Sequence, residues 1–263
     1  MNILEKIIES KKIAVKQKKD LYGIKKLEAF EYYKRDCESL VKKLKAKNST
    51  GIIAEYKRKS PSKGIINGKA EIEEVVSVYE KNGAAGISIL TDEEYFGGTN
   101  DDMIQARNLV DCPLLRKDFI IDEYQLVEAK AIGADVILLI AACLTPSRVK
   151  YLARFARSLN LESLLEIHGE SELGHICDDV NLIGVNNRDL KTFEVNLEQS
   201  VRLAEKIGNQ WVKISESGIN DPKDIIYLKQ HGFDGFLIGE NFMKQLDPGK
   251  AFGDFIKELK SLL

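Results

Sequence analysis

Apolar positions along this chain fall into two regimes. From about residue 4 to residue 47 they recur at helical intervals, as Ile7, Ile8, Ile13 and Val15 and then Leu27, Phe30, Tyr33, Leu40 and Leu44, on a lysine-rich background. That spacing predicts two or three amphipathic helices. Beyond residue 50, short apolar runs alternate with amphipathic stretches to the end. The runs at 51–56, 86–90, 113–117, 136–140, 163–167, 182–185, 211–214 and 235–238 predict eight strands.

Apolar strands alternating with helices specify a parallel sheet buried on both faces, because each crossover lays a helix against it. Gly83, Gly133 and Gly232 stand before the second, fourth and eighth runs, where helix C-caps turn into strands. Eight such units predict closure into a barrel; an open doubly wound sheet would stop at about five or six strands and carry a G-x-G-x-x-G turn after the first. No such turn follows residue 56. The fold expected is an α/β chain, a (β/α)8 TIM barrel with an N-terminal helical extension. Residues 1–48 form the extension packed on the barrel and 49–263 the barrel itself, one structural domain overall.

Composition narrows the function classes. At 44% hydrophobic and 30% charged residues, the chain can bury a continuous core and is not mainly disordered. The formal net charge is −2, yet residues 1–48 hold 14 Lys and Arg against 7 Asp and Glu. A basic arm for nucleic acid or membrane is one reading; because the lysines are mixed with glutamates at helical spacing, a solvated helical face is preferred. Cys37, Cys112, Cys143 and Cys177 are far apart, which suits free thiols in a cytoplasmic protein. The N-terminus is charged where a signal peptide needs an apolar run, and the longest apolar stretch, 136–144, is too short to span a bilayer. No nucleic acid or membrane partner is expected.

Barrel chemistry sits at the C-terminal ends of the strands, so charged residues there need a reason. In I-I-A-E-Y-K-R-K-S-P-S-K-G, Glu55 and Lys57 are two apart on a strand and face the same way. A buried structural ion pair would give the same pattern, but apolar replacements of such pairs are often neutral or stabilising, which favours function. Ser60 to Gly64 form a polar loop suited to closing over an anion. In L-L-R-K-D-F, Lys117 shares a face with Leu115 and Phe119 and is the one charge on it. It could be a general acid, a Schiff-base former, an anion ligand, or a lysine snorkelling to solvent. Glu166 in S-L-L-E-I-H follows Leu164 on one face, with His168 beyond it given little weight.

In G-V-N-N-R-D-L, Asn186 and Arg188 lie two apart, an oriented amide and a fork for carboxylate or phosphate, or else a turn with a surface arginine. Ser217, Gly218 and Gly239 follow the seventh and eighth runs, where backbone N–H groups of a barrel phosphate site must approach the anion; either glycine could serve a turn alone. Three histidines with no H-x-x-x-H spacing give a metal site little support.

The segments I-A-E-Y-K-R-K-S-P-S-K-G, T-D-E-E-Y-F-G-G, L-R-K-D-F-I-I-D-E-Y-Q, L-L-E-I-H, I-G-V-N-N-R-D-L, S-E-S-G-I and L-I-G-E, in this order over residues 51–243, resemble indole-3-glycerol-phosphate synthase. The resemblance implies ring closure, decarboxylation and dehydration of 1-(2-carboxyphenylamino)-1-deoxyribulose 5-phosphate to indole-3-glycerol phosphate in tryptophan biosynthesis. It implies no cofactor and no metal, with other tryptophan-pathway enzymes as candidate protein partners. It makes Lys117 the general acid on the substrate carbonyl oxygen and Glu166 the base or cation stabiliser in dehydration. Glu55 and Asn186 would orient the reacting groups, and Lys57 would pair with the substrate carboxylate and serve as acid in the later step.

The same resemblance places Arg188, Ser60, Ser217, Gly218, Gly239 and the backbone at Glu240 on carboxylate or phosphate, with the Glu240 side chain turned away, and makes Glu216 a substrate-binding residue. Phe96, Phe119 and Leu190 would pack on the anthranilate ring. Tyr56, Asn67, Asn241 and Phe242 depart from the family's usual run. Another phosphate-handling barrel, such as phosphoribosylanthranilate isomerase or the tryptophan synthase α subunit, would need a different acid/base set. A barrel used only for binding or assembly would lack catalytic groups that are all present here.

Overall fold

The computed structural model describes residues 3–189 and 194–263. Eight parallel strands close into a barrel: β1 Ile52–Tyr56, β2 Gly86–Leu90, β3 Leu114–Lys117, β4 Val136–Ile140, β5 Glu162–Ile167, β6 Leu182–Asn186, β7 Val212–Glu216 and β8 Gly235–Ile238. Each pairs with the next in sequence and β8 closes on β1. The expected runs agree with these strands to within a residue or two. β7 runs on through Ser215 and Glu216, two buried polar residues that carry no apolar signal.

Alternation along the strands sorts side chains into two cores. Ile53, Leu115, Leu138, Leu164, Leu182, Ile214 and Leu237 fill the barrel interior. Ile52, Ile87, Leu114, Ile137, Leu165 and Ile183 pack outward under the helical layer. Helix Leu40–Lys45 caps the N-terminal end of the barrel, its Leu40 and Leu44 joining the interior cluster. A glycine at the start of β2 suits this close approach, since a Cβ at Gly86 would meet Leu40 Cδ1 at 2.8 Å and the Pro113 carbonyl oxygen at 3.0 Å. Gly83, Gly133 and Gly232, with φ of +92°, +93° and +84°, make the left-handed turns into β2, β4 and β8.

Most of the basic N-terminal residues are exposed, the solvated face that their spacing suggests, but some of them also dock on the barrel. Helix Ile3–Leu21 lies against the barrel and three of its lysines dock on acidic residues there. Lys11 Nζ reaches Asp92 at 2.6 Å and Asp118 at 2.7 Å. Lys18 pairs with Glu128 and Lys19 with Asp122. Burial opposes the Lys11 charge, but Asp118 and Asp92 raise its pKa above the ordinary lysine value. The opposite charges of extension and barrel are thus complementary surfaces, with the more exposed Lys18 and Lys19 pairs contributing little each. All four cysteines are free thiols, and among the described residues no helix is long and apolar enough to cross a membrane.

Candidate active site

A cavity of about 420 Å³ opens at the C-terminal ends of the strands. Strand register assembles its floor, placing Leu90 beside Lys117, Ile140 beside Glu166 and Asn186 beside Glu216. Because side chains alternate, Glu55, Lys117, Glu166 and Asn186 all point inward one step above the apolar interior. Lys57, Ser60, Phe96, Phe119, Arg188, Ser217, Gly218, Gly239 and Glu240 line the walls and rim with them. Leu190 lies outside the described residues. Ile3, Leu4 and Ile7 of the N-terminal helix complete the wall, a contribution that helical periodicity could not assign to the site.

Lys117 is the hub. Its ammonium lies 3.4 Å from Glu166 Oε2 and 3.3 Å from Glu216 Oε2. Burial alone would depress its pKa; the carboxylates of Glu216, Glu166 and Glu55 reverse this and hold it well above the ordinary lysine value. Glu55 is 2.6 Å from Lys57 and accepts a hydrogen bond from Ser88 Oγ at 3.2 Å. Burial raises the Glu55 pKa, but Lys57 and Lys117 outweigh it and keep this carboxyl ionised. Gly239 is glycine partly on this account, since a Cβ there would stand 2.7 Å from Glu55 Oε1.

Glu216 does not line the cavity. It sits beneath Lys117, only 1% exposed, and neither oxygen has an aligned hydrogen-bond donor. Burial raises its pKa; Lys117 lowers it but the charge of Glu166 adds to the rise, leaving it at about 7. Glu166 goes the other way. Burial would raise it too, yet Lys117 and His168 hold it well below the carboxylate range. One Lys117 faces both carboxyls, and the second cation at Glu166 decides which of them keeps the proton. His168 Nε2 is that second cation, 3.3 Å from Glu166 Oε1, and the low weight its loop position suggests is too low.

At the rim, Ser217 and Gly218 adopt successive left-handed conformations with φ of +70° and +75°. A left-handed serine is uncommon and occurs where surroundings enforce it, here at the expected anion loop. Ser60 and Gly64 belong to a short antiparallel ribbon, Lys59–Ser60 with Gly64–Ile65. Arg188 N donates to Asn186 Oδ1 at 3.0 Å, tying the two residues together. Phe96 and Phe119 face each other with ring centroids 6.0 Å apart.

The Glu240 carboxylate does not turn away from the mouth. It bridges Lys63 at 2.7 Å and Arg188 at 3.3 Å. Asn67 and Tyr56 are parts of a structural staple: Asn67 Nδ2 donates to the carbonyls of Met243 and Gln245, and Tyr56 Oη to that of Ala70. Asn241 Nδ2 donates to the Asn220 carbonyl, and Phe242 is buried in the outer core.

The family model described as indole-3-glycerol phosphate synthase matches residues 4–255. The indole-3-glycerol phosphate synthase of Bacteroides thetaiotaomicron is 46% identical over 259 residues, covering 98% of this chain and 99% of the relative. That of Carboxydothermus hydrogenoformans is 41% identical, covering 94% and 97%. In fold alone, the chain is similar to thiamine phosphate pyrophosphorylase from Pyrococcus furiosus, with a TM-score of 0.60 at 18% identity over 86% of this chain and all of that one. Matched over residues 4–255 by the family model and over 98% of its length by the Bacteroides thetaiotaomicron relative, the chain belongs to the indole-3-glycerol phosphate synthase family.

Proposed function

We infer that the chain closes the pyrrole ring of 1-(2-carboxyphenylamino)-1-deoxyribulose 5-phosphate, releasing carbon dioxide and water and forming indole-3-glycerol phosphate for tryptophan biosynthesis. It is a carbon–carbon lyase. The observation that carries the assignment of roles is the Lys117 ammonium on the cavity floor, held between Glu166 and Glu216.

Ring closure needs a proton donor on the carbonyl oxygen as the aromatic carbon attacks. Lys117 binds its proton tightly, so it gives it up only as that oxygen takes on alkoxide charge, which ties its contribution to the transition state. The ring carbon that attacks becomes tetrahedral and bears the carboxylate; loss of carbon dioxide restores aromaticity. Loss of the hydroxyl as water then needs a base and a stabiliser of developing positive charge. Glu166, kept ionised, supplies both.

Lys57, beside Glu55, faces the cavity as the partner for the substrate carboxylate and the acid of the later step. Asn186 and Glu55 orient the reacting groups. Arg188, Ser60 and the loops at Ser217, Gly218, Gly239 and the Glu240 backbone seat the anions, and Phe96 and Phe119 pack on the aromatic ring. Glu216 acts from below, through Lys117. The small phosphorylated substrate is the partner the site is built for, and contacts with other tryptophan-pathway enzymes would use other surfaces.

The purified chain, given this substrate, should produce the fluorescence of indole-3-glycerol phosphate with release of one carbon dioxide per turnover. Absence of product with folded protein would overturn the assignment.

A further inference from the structure

We propose that His168 is a positioning residue for Glu166, its ring clamped between Glu166 and Glu172 so that it sets which way the Glu166 carboxylate faces. The proposal rests on the reading of Glu166 as the group that acts in dehydration.

His168 is the first residue past β5, and its backbone is fixed from two sides. Its N–H donates to Glu172 Oε2 at 2.5 Å, and its carbonyl accepts from Gln199 Nε2 at 2.5 Å. The ring then has little freedom. Nε2 lies 3.3 Å from Glu166 Oε1 and Nδ1 3.5 Å from the Glu172 carboxylate. The other Glu166 oxygen faces Lys117, so each oxygen of this carboxylate has its own cation.

Both ring nitrogens are buried and neither has an aligned hydrogen bond, which makes the contact one of charge. A neutral imidazole would turn a lone pair toward one of two carboxylates; only the doubly protonated ring offers N–H to both. Burial opposes that charge, but Glu166 and Glu172 raise the His168 pKa to about 10. Of the other groups facing this pair, Glu216 of β7 shares Lys117 with Glu166 and opposes its charge. Lys117 of β3 and the Asn186 amide of β6 favour the Glu166 anion, and His175 lies beyond Glu172. The Cys143 thiol, in the turn after β4, is pushed by burial to about 12 and stays neutral.

His168 does not line the cavity, so it acts on substrate only through Glu166. Without it, Glu166 would have one cation instead of two, would compete with Glu216 for Lys117, and would take up a proton more readily.

The test uses the full chain with His168→Gln and Glu172→Gln, assayed with 1-(2-carboxyphenylamino)-1-deoxyribulose 5-phosphate across pH. His168→Gln should lower kcat about tenfold, leave KM within about twofold, and move the acid limb of kcat upward by about one pH unit. Glu172→Gln should move the same limb in the same direction by less, and serves alone if His168→Gln does not fold. Nitrogen NMR of labelled histidine adds a readout independent of turnover: His168 should stay doubly protonated through about pH 8 and titrate lower in Glu172→Gln. A neutral His168 ring at pH 7, or a His168→Gln profile superimposable on that of the parent, would overturn the proposal. Glu166→Gln separates the two layers, because normal turnover in that variant sinks the role of Glu166 itself, whereas lost turnover there with an unmoved His168→Gln profile sinks only the clamp.

Discussion

Gly184 is the space into which the Glu216 carboxylate fits: a Cβ at Gly184 would stand 2.2 Å from Glu216 Oε1. β6 therefore determines where the acid beneath Lys117 can sit. Gly184→Ala should push Glu216 off its seat and loosen the ammonium above it. We expect kcat to fall about tenfold or more, with a stability loss of about 1–3 kcal/mol from overpacking. Steady-state rates beside a thermal melt would check this, and normal turnover would mean that Lys117 does not need Glu216 where it is.

Lys117 and Glu166 are assigned to different steps, so their loss should be distinguishable. Lys117→Ala should lower the rate of ring closure by more than about tenfold, or about 1.4 kcal/mol of transition-state stabilisation. Glu166→Gln should lower overall turnover at least as much, but by slowing dehydration. Single-turnover quench experiments should then find a decarboxylated, still hydroxylated intermediate with Glu166→Gln and unreacted substrate with Lys117→Ala. Near-normal turnover in either variant would sink its assignment.

Glu240 holds the two rim cations, Lys63 and Arg188. Burial would raise its pKa, but Lys63 and Arg188 lower it, so it is a full negative charge at the entrance for a polyanionic substrate. Glu240→Gln should lower KM a few-fold, strengthen inhibition by inorganic phosphate, and leave kcat within about twofold. A rise in KM would show instead that the carboxylate is needed to aim Arg188.

These relationships mark what was legible in the chain and what was not. Strand parity alone puts Glu55 with Lys57, Lys117 with Phe119, and Glu166 with Leu164 on the inward face, because the strand period is two and one face must be apolar further down. Interactions across elements are different in kind. That Glu216 lies under Lys117 depends on the register of β6 and β7 and on an absent Cβ at Gly184, neither of which an apolar pattern encodes. The His168 clamp depends on Glu172, in the short 3-10 helix Glu170–His175 after β5, and on Gln199 of another helix. Lys11 looks like any exposed helical lysine until Asp92 and Asp118 are brought beneath it. Periodicity tells which way a side chain faces; it does not tell what it meets.

Glu216 also makes stability depend on pH in a definite direction. Its folded pKa, about 7, is above the ordinary glutamate value of 4.5, so between those limits the folded state holds a proton that the unfolded state has released. Stability then falls as pH rises, fully present below about 4.5 and lost progressively to about 7. Glu166 has the opposite sign: its folded pKa is lowered, so its contribution is present above 4.5 and lost as pH falls. The two oppose each other, and removing one exposes the other. Glu216→Gln, which keeps the shape and removes the titration, should make the chain more stable relative to the parent at pH 7.5 than at pH 4.5, by about 1–3 kcal/mol. Urea unfolding of both proteins at these two pH values measures the difference directly. An equal gap at both would mean that Glu216 is ionised throughout the range, and that Lys117 rather than the neighbouring carboxylates governs its proton.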